Sequence, residues 1–355
     1  MMSSGGLSLS LDGFAHELVF HDIDIPVSLM YKSVDIRSTR ALAKFCQSID
    51  ENPDVCAAVK RLIINIPIWN EDLDENVKIR SLAQSLSRLS SLEKFEIRGS
   101  GSMTLLALLT EAFPDLRSFI SGFTTRDTEP FIRAHRRLER VHVQPAELPG
   151  DFFNKDLRPF HFESLRYISG PAFLAGALIV GSRARSLAVY WGPPDYHHKP
   201  TLQCIARSTL PVENLSNIMS GHWNDIPVKE IAKRLPRLRT LGFRICKGSN
   251  VDDQSWHAAR KASESMPHKM MKITNRLQAF IQDLTAALIR FQRLETLSLV
   301  DFPDKAGPVE RASNQEELRL RHSWGSACPS LKEITFSGTR YGRSRVGENL
   351  WDLCI

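Results

Sequence analysis

The chain has 355 residues, of which 42% are hydrophobic and 24% are charged, and its formal net charge is +6. These proportions are ordinary for a folded protein and exclude a chain that is disordered throughout. No apolar run approaches the ~20 residues that a membrane helix needs, and residues 1–6 lack the basic and apolar regions of a secretory signal. We therefore expect no membrane partner and an intracellular protein, cytoplasmic or nuclear.

Residues 1–50 are predicted to form an N-terminal cap. A first strand is expected within residues 29–36, which read LMYKSVDI. A helix is expected from about Ser38 to Ile49, because Leu42 and Phe45 then lie on one apolar face.

From residue 51 to about residue 340 a short phrase recurs. It consists of an anchor leucine, two mostly polar residues, and two apolar residues separated by one position. Clear copies begin at Val59, Leu92, Leu138, Leu238, Leu294 and Leu331, and weaker ones at Leu116, Leu165, Ala184 and Leu215. From Leu92 to Leu238 the anchors are on average about 24 residues apart, within the ~20–29 residues typical of leucine-rich repeats.

The phrase predicts a short strand, because alternation places its last two apolar residues on one face of a sheet. Between the strands the apolar residues change to helical spacing. Helices are expected around residues 79–89, 105–113, 226–235, 277–291 and 315–324. Alternating strands and helices indicate a parallel sheet. We therefore predict an α/β fold, a leucine-rich-repeat-like curved solenoid with strands on its concave face and helices on its convex face. The rival doubly wound domain lacks support, since no GxGxxG or GxxxxGK motif is found.

Polar segments interrupt the pattern. Residues 246–272 are predicted to be an inserted loop, with room for a short helix at about 254–265. Residues 302–315 and 191–200 are predicted to be further loops, the latter because Pro193, Pro194 and Pro200 disfavour helix. Residues 341–355 are assigned to a C-terminal tail.

The order of these pieces resembles the fungal F-box/leucine-rich-repeat proteins. In that family an F-box ends in a Leu/Ser-rich helix, followed by an LYxSV strand, a helix, a proline turn, a VRxLxI strand, and repeats that close near CPSL. The matching segments are LSLSL at 7–11, MYKSV at 30–34, NPD at 52–54, VKRLII at 59–64 and CPSL at 328–331. The resemblance implies a substrate receptor linked to ubiquitin-dependent turnover.

The chain departs from the family at its start. The Leu-Pro and the amphipathic helix that open an F-box are absent from residues 1–50, so we expect the F-box to be truncated or absent. A contact with the ubiquitin-ligase adaptor, which the family makes through that helix pair, is left open.

No motif in the sequence predicts a catalytic, cofactor or metal site. The six cysteines contain no CxxC pair, which favours reduced, buried thiols over a zinc site or a disulfide framework. His197 and His198 are adjacent but lack an HxH or HExxH pattern, and are predicted to be an exposed loop pair. We therefore expect a protein that is not an enzyme.

The predicted function is protein binding on the concave strand face, as in other solenoids. The partner-binding candidates are the outward-facing residues suited to an interface: Arg98, Arg140, His142, Tyr167, Tyr190 and Arg244. The alternative is nucleic-acid or polyanion binding by a basic patch of Arg133, Arg136, Arg137 and Arg140. Nearby acidic residues, such as Glu129 and Glu139, make this alternative the weaker of the two.

Overall fold

The structure is a computed structural model of the chain. The residues that the structure describes are 9–10, 31–68, 75–100, 103–123, 125–144, 160–191, 198–220, 227–246, 267–300, 310–336, 339–344 and 351–354. The chain divides into two compact units, unit 1 at Met1–Gly170 and unit 2 at Pro171–Ile355. The boundary between the units lies within the predicted 51–340 repeat region.

Unit 1 alternates strands with helices. Its described elements are β1 (Leu9–Ser10), β2 (Ser33–Ile36), α1 (Thr39–Glu51), α2 (Pro53–Ala58), β3 (Arg61–Ile68), α3 (Glu75–Ser87), β4 (Lys94–Ser100), α4 (Met103–Leu108), β5 (Ser118–Ser121), α5 (Thr125–Ala134), β6 (Arg140–Val143) and β7 (Tyr167–Pro171). The strands pair in chain order and all in parallel. The sequence predicts the start of α1 well, because the Ser38 hydroxyl accepts a hydrogen bond from the Ala41 N–H and caps the helix.

Alternation along the strands gives unit 1 a buried face and an open face. The short strands β2 and β5 both alternate half-buried and buried residues, and β6 alternates similarly. The anchors Val59, Leu92, Leu116, Leu138 and Leu165 are all fully buried. Helices α1, α3, α4 and α5 pack in sequence, each against the next. We call the sheet face opposite the buried anchors the open face of each unit.

Aromatic rings fill the middle of the unit 1 core. The Phe95 ring lies 5.3 Å from that of Phe113 and 5.9 Å from that of Phe131. His135 lies 4.1 Å from Phe131, and its two ring nitrogens lie 2.6 Å from the backbone oxygens of Phe131 and Ala112. These contacts connect the end of α5 to the turn that precedes β5, and so hold consecutive repeats together.

Unit 2 continues the same alternation. Its described elements are α6 (Ala172–Ile179), β8 (Ser186–Trp191), α7 (His198–Ala206), β9 (Asn214–Ser220), α8 (Val228–Arg234), β10 (Thr240–Cys246), α9 (Pro267–Leu288), β11 (Thr296–Val300), α10 (Glu310–Ala327), β12 (Glu333–Phe336), β13 (Thr339–Arg343) and β14 (Trp351–Leu353). Strands β8 to β12 are parallel and in chain order. The predicted α/β class with a mostly parallel sheet is therefore confirmed.

The C-terminal end departs from the predicted tail. Strand β13 pairs with β12 in antiparallel fashion, and β14 pairs with β13. Tyr341 lies against α10, where its hydroxyl donates to a Glu317 carboxylate oxygen at 3.2 Å and its ring lies 3.8 Å from the Arg321 guanidinium. Burial and the nearby Glu317 raise the pKa of Tyr341. Unit 2 thus ends in an antiparallel cap.

Several predicted boundaries are wrong. Leu9–Ser10, assigned by the resemblance to a Leu/Ser-rich helix, form a strand paired with β2. Helix α7 begins at His198 and contains Pro200, because a proline is tolerated in the first turn of a helix, where its missing N–H is not needed. Helices α9 and α10 begin inside the two predicted loops, at Pro267 and Glu310. The remainder of those loops, and His197, lie outside the described residues.

Within each unit, a ladder of alternating charge runs along the starts of the strands. The residues directly before β3 to β7 are Lys60, Glu93, Arg117, Glu139 and Arg166, and those before β8 to β12 are Arg185, Glu213, Arg239, Glu295 and Lys332. Neighbouring rungs form ion pairs at 3.6 Å (60–93), 3.4 Å (117–139), 3.0 Å (185–213), 3.7 Å (239–295) and 3.3 Å (295–332). The backbone oxygen of one rung also accepts hydrogen bonds from the N–H groups of the next rung and of the residue after it, as Lys60 does from Glu93 and Lys94. The ladder therefore supports the strand register.

Candidate functional site

The open face of unit 1 presents two rows of side chains that run across the strands. The first row, at the strand starts, contains Ser33, Arg61, Lys94, Ser118, Arg140 and Tyr167. The second row, two residues further along each strand, contains Asp35, Ile63, Glu96, Ile120, His142 and Ser169. Because the register does not shift between these strands at these positions, the rows are continuous.

The structure brings the four unit 1 candidates onto this face. Arg140 and Tyr167 are direct neighbours in the first row, and His142 lies two residues beyond Arg140. Arg98 follows Glu96 by two residues on β4, and its Nε lies 2.7 Å from the Glu96 carboxylate. The alternation that the sequence shows thus places these residues as predicted, because a strand turns every second side chain to the same face.

His142 has the most distinctive surroundings of the candidates. Its Nδ1 lies 2.7 Å from the Ser169 hydroxyl on the neighbouring strand. Burial lowers the pKa of His142 below its ordinary value, and the nearby Arg98 lowers it further. At neutral pH the ring is therefore an uncharged hydrogen-bonding group on the open face, rather than a further cation.

The two unit 2 candidates also share a face. Tyr190 on β8 and Arg244 on β10 are both register neighbours of Ile218 on β9. Tyr190 is half-buried and Arg244 is exposed. One strand therefore separates the two side chains, about 10 Å apart at the usual strand spacing.

The sequence prediction placed the register of β9 incorrectly and so missed its three open-face positions. The prediction took Leu215 as a repeat anchor, but Leu215 is paired with Leu187 and Leu241 inside the strands. The buried residue that precedes β9 in the anchor position is Val212. With the anchor at Val212, three residues earlier than predicted, Asn214, Ser216 and Ile218 lie on the open face. A valine anchor, as at Val59, is the signal that could have found them.

The open face of unit 2 differs in chemistry from that of unit 1. Its first row contains the small polar residues Ser186, Asn214, Thr240 and Thr296, followed by Glu333. The Asn214 amide donates to the Ser186 hydroxyl at 2.9 Å. In the second row Gly242 has no side chain, and its neighbours are Ser216 and Ser298. This face offers hydrogen-bonding groups with little charge.

The alternative basic patch is dispersed over different elements. Arg133 lies on α5, where it pairs with Glu129 at 2.7 Å and covers the Phe160 ring at 3.9 Å. Arg137 pairs with Asp115 at 3.0 Å in the turn after α5. Arg136 is exposed in the same turn, whereas Arg140 belongs to the open face. The four residues therefore belong to a helix, a turn and a strand, and two of them are paired with acids.

An open groove of about 480 Å³ lies between α1 and α3. Its lining includes Cys46, whose Sγ lies 3.9 Å from the Leu82 oxygen. Burial, with a smaller contribution from the Asp50 carboxylate, raises the pKa of the Cys46 thiol to about 12. Asp50 itself is held by Ser85 at 2.8 Å and Arg88 at 3.0 Å. A thiol that stays protonated is a poor nucleophile, so this groove offers no activated cysteine.

Within the described residues, no group of three or more His, Cys, Asp or Glu side chains is placed to hold a metal ion. No helix in the described part of the chain is both long and apolar enough to cross a membrane. No known protein-family model matches the chain, and no curated protein matches it either.

Proposed function

We propose that this chain is a non-enzymatic protein-interaction module that binds a protein partner through the open faces of its strands. The observation that carries the proposal is the pair of continuous side-chain rows across six neighbouring strands of unit 1. Parallel strands at constant register present side chains at a regular spacing of about 4.8 Å, which suits recognition of an extended surface.

The finer architecture that we propose is a leucine-rich-repeat-like curved solenoid, with the open faces on its concave side. Three features support this: the average spacing of about 24 residues between the anchors from Leu92 to Leu238, the order of the strands, and the buried anchor before each of the strands β3 to β12. Helices on one side of a sheet are wider than the strands beside them, so stacked repeats of this kind curve toward the strands.

The resemblance to fungal F-box/leucine-rich-repeat proteins extends the proposal to a substrate receptor in ubiquitin-linked turnover. Two of the segments that carry it overlap strands, since β2 begins at Ser33 within MYKSV and β3 begins at Arg61 within VKRLII. In this role the open faces would recognise the protein to be modified.

Site-specific cross-linking tests the binding proposal. A photoreactive amino acid is placed at Ser118 or Thr240 on the open faces, and at Ala134 or Lys233 on the exposed sides of α5 and α8. We expect one and the same cellular protein to cross-link from the open-face positions and not from the helix positions. Equal cross-linking from both sides, or none from the open faces, contradicts the proposal.

Co-purification with the ubiquitin-ligase adaptor and cullin tests the receptor role separately. The tagged chain is expected to retain both proteins after washing. A chain that cross-links its partner from the open face but retains neither adaptor nor cullin is a binding module without the ligase role.

A further inference from the structure

Three cations lie in the first row of unit 1. Arg61, Lys94 and Arg140 are exposed, and none of them forms an ion pair with any residue that the structure describes. One residue earlier on the same strands, the rungs of the charge ladder alternate in sign and pair with each other. These three unpaired charges therefore contrast with the charge ladder beside them, in which positive and negative side chains balance.

Without a ligand, the like charges of this row destabilise the sheet. Arg61 and Lys94 are direct partners in adjacent strands, at a spacing of about 4.8 Å. Like charges placed directly opposite each other destabilise a sheet, whereas opposite charges stabilise it. An acidic ligand would remove this repulsion, because its carboxylates would lie between the two cations.

The acids nearest the row are already engaged. Glu96 in the second row is paired with Arg98 at 2.7 Å, and Asp35 is paired with Arg37 at 3.1 Å. These two pairs neutralise themselves, so the three cations of the first row set the charge of the face. Ile63 and Ile120, which lie on either side of Glu96 in the second row, are half-buried.

We propose that an extended acidic peptide segment of the partner protein lies across the strands of unit 1, between the two rows. Alternate side chains of an extended chain point to opposite sides. Carboxylates on one side would meet Arg61, Lys94 and Arg140, and apolar side chains on the other would cover Ile63 and Ile120. The inference rests on the proposed function and names the chemistry of the partner.

The geometry sets the length of the segment. Arg61 and Tyr167 are four strands apart, or about 19 Å at the usual spacing. An extended chain covers this distance with about six residues. The half-buried isoleucines beside the row favour a peptide with alternating acidic and apolar residues over a nucleic acid. The backbone of a nucleic acid is charged throughout, so it has no apolar groups to cover the isoleucines, and its phosphates would be repelled by Glu96.

Fluorescence anisotropy with the full chain tests the inference. The probe is a labelled peptide of about eight residues that alternates glutamate with leucine, which covers the six-residue span with about one residue to spare at each end. The control peptide carries glutamine in place of glutamate, and labelled oligouridylate serves as a nucleic-acid probe. The row variant combines Arg61→Glu, Lys94→Glu and Arg140→Glu. Its matched control combines Arg183→Glu, Arg207→Glu and Arg290→Glu, which gives the same net charge by changing exposed arginines of unit 2.

We expect the acidic peptide to bind the unchanged chain and the matched control, and to bind the row variant at least about tenfold more weakly, since three exposed ion pairs are lost. The glutamine peptide should not bind. The variant with Arg61→Gln, Lys94→Gln and Arg140→Gln should show an intermediate loss, which guards against misfolding of the reversed variant.

Equal peptide binding by the row variant and the matched control overturns the inference. So does binding of oligouridylate that depends on the row while the acidic peptide does not bind. Cross-linking from Ser118 separates the two proposals: a partner that still cross-links to the row variant leaves the proposed function standing and rejects the acidic segment. No cross-link from the open face rejects the proposed function itself.

Discussion

The pKa of His142 reports on the charges around it on the open face. Burial is the larger cause of its lowered pKa and Arg98 the smaller one. The neutral ring is favoured in the folded chain, so its contribution to stability is present above the ordinary value of 6.5 and is lost as the pH falls below it.

Replacing Arg98→Gln should raise the pKa of His142 toward its ordinary value, because the nearby positive charge is removed. The recovery should be only partial, since burial remains. NMR titration of the histidine ring protons measures this, with His142→Gln to assign the resonance and Arg244→Gln as a control on unit 2. An unchanged or lower pKa in the Arg98 variant contradicts the electrostatic interpretation.

Cys46 is expected to resist alkylation in the folded chain. With its pKa raised to about 12, only about one thiol in ten thousand is ionised at pH 8. Brief iodoacetamide treatment followed by mass spectrometry should label the exposed Cys354 and leave Cys46 unmodified. In denaturant both should react, and labelling of native Cys46 at the denatured rate would contradict its burial.

At the scale of elements, the charge ladder should contribute modestly to stability. Replacing Glu139→Lys places a cation beside Arg117 and Arg166, and we expect a loss of about 1 kcal/mol in the free energy of unfolding. Glu139→Gln, which removes attraction without adding repulsion, should cost about half as much.

Urea unfolding at low and high salt measures both variants. The cost of Glu139→Lys should shrink at high salt, because exposed charges are screened. A cost that is independent of salt would mean that Glu139 acts through packing rather than through charge.

How far each element could be predicted from the sequence depends on whether its signal was local. The clear anchors, such as Leu92 and Leu138, lie before strands as expected, because buried leucines and alternation mark a strand without reference to its neighbours. The β9 register was missed because Val212 and Leu215 are both apolar, and only pairing with β8 and β10 distinguishes them. Strand β13 was missed because its residues, Thr339–Arg343, show no alternation of apolar and polar side chains; its antiparallel direction follows from the short connection after Phe336, since a parallel strand needs a long crossover. The outward position of the candidate residues was predictable, but the unpaired state of Arg61 and Lys94 required the structure.

At the scale of the whole molecule, the C-terminal cap protects the end of the parallel sheet. An uncovered edge strand presents free N–H and C=O groups to other chains. Strand β13 satisfies these groups on β12, and the contacts of Tyr341 with Glu317 and Arg321 fasten it to α10.

Removing residues 339–355 should therefore cause self-association. Size-exclusion chromatography with light scattering should show larger species for this variant than for the full chain. Removing only residues 351–355 leaves β13 on β12 and should preserve the oligomeric state of the full chain. Identical behaviour of the longer deletion and the full chain would show that the cap does not guard the edge.

The alternating sign of the ladder also limits which changes in the number of repeats the chain can accept. Duplication or loss of one repeat inside the series from Lys60 to Arg166 would bring two rungs of like charge together. Gain or loss of two adjacent repeats would keep every neighbour opposite in sign. Within this series the sign of the charge repeats every two strands, and designed or natural length variants should tolerate changes in pairs of repeats better than changes of one.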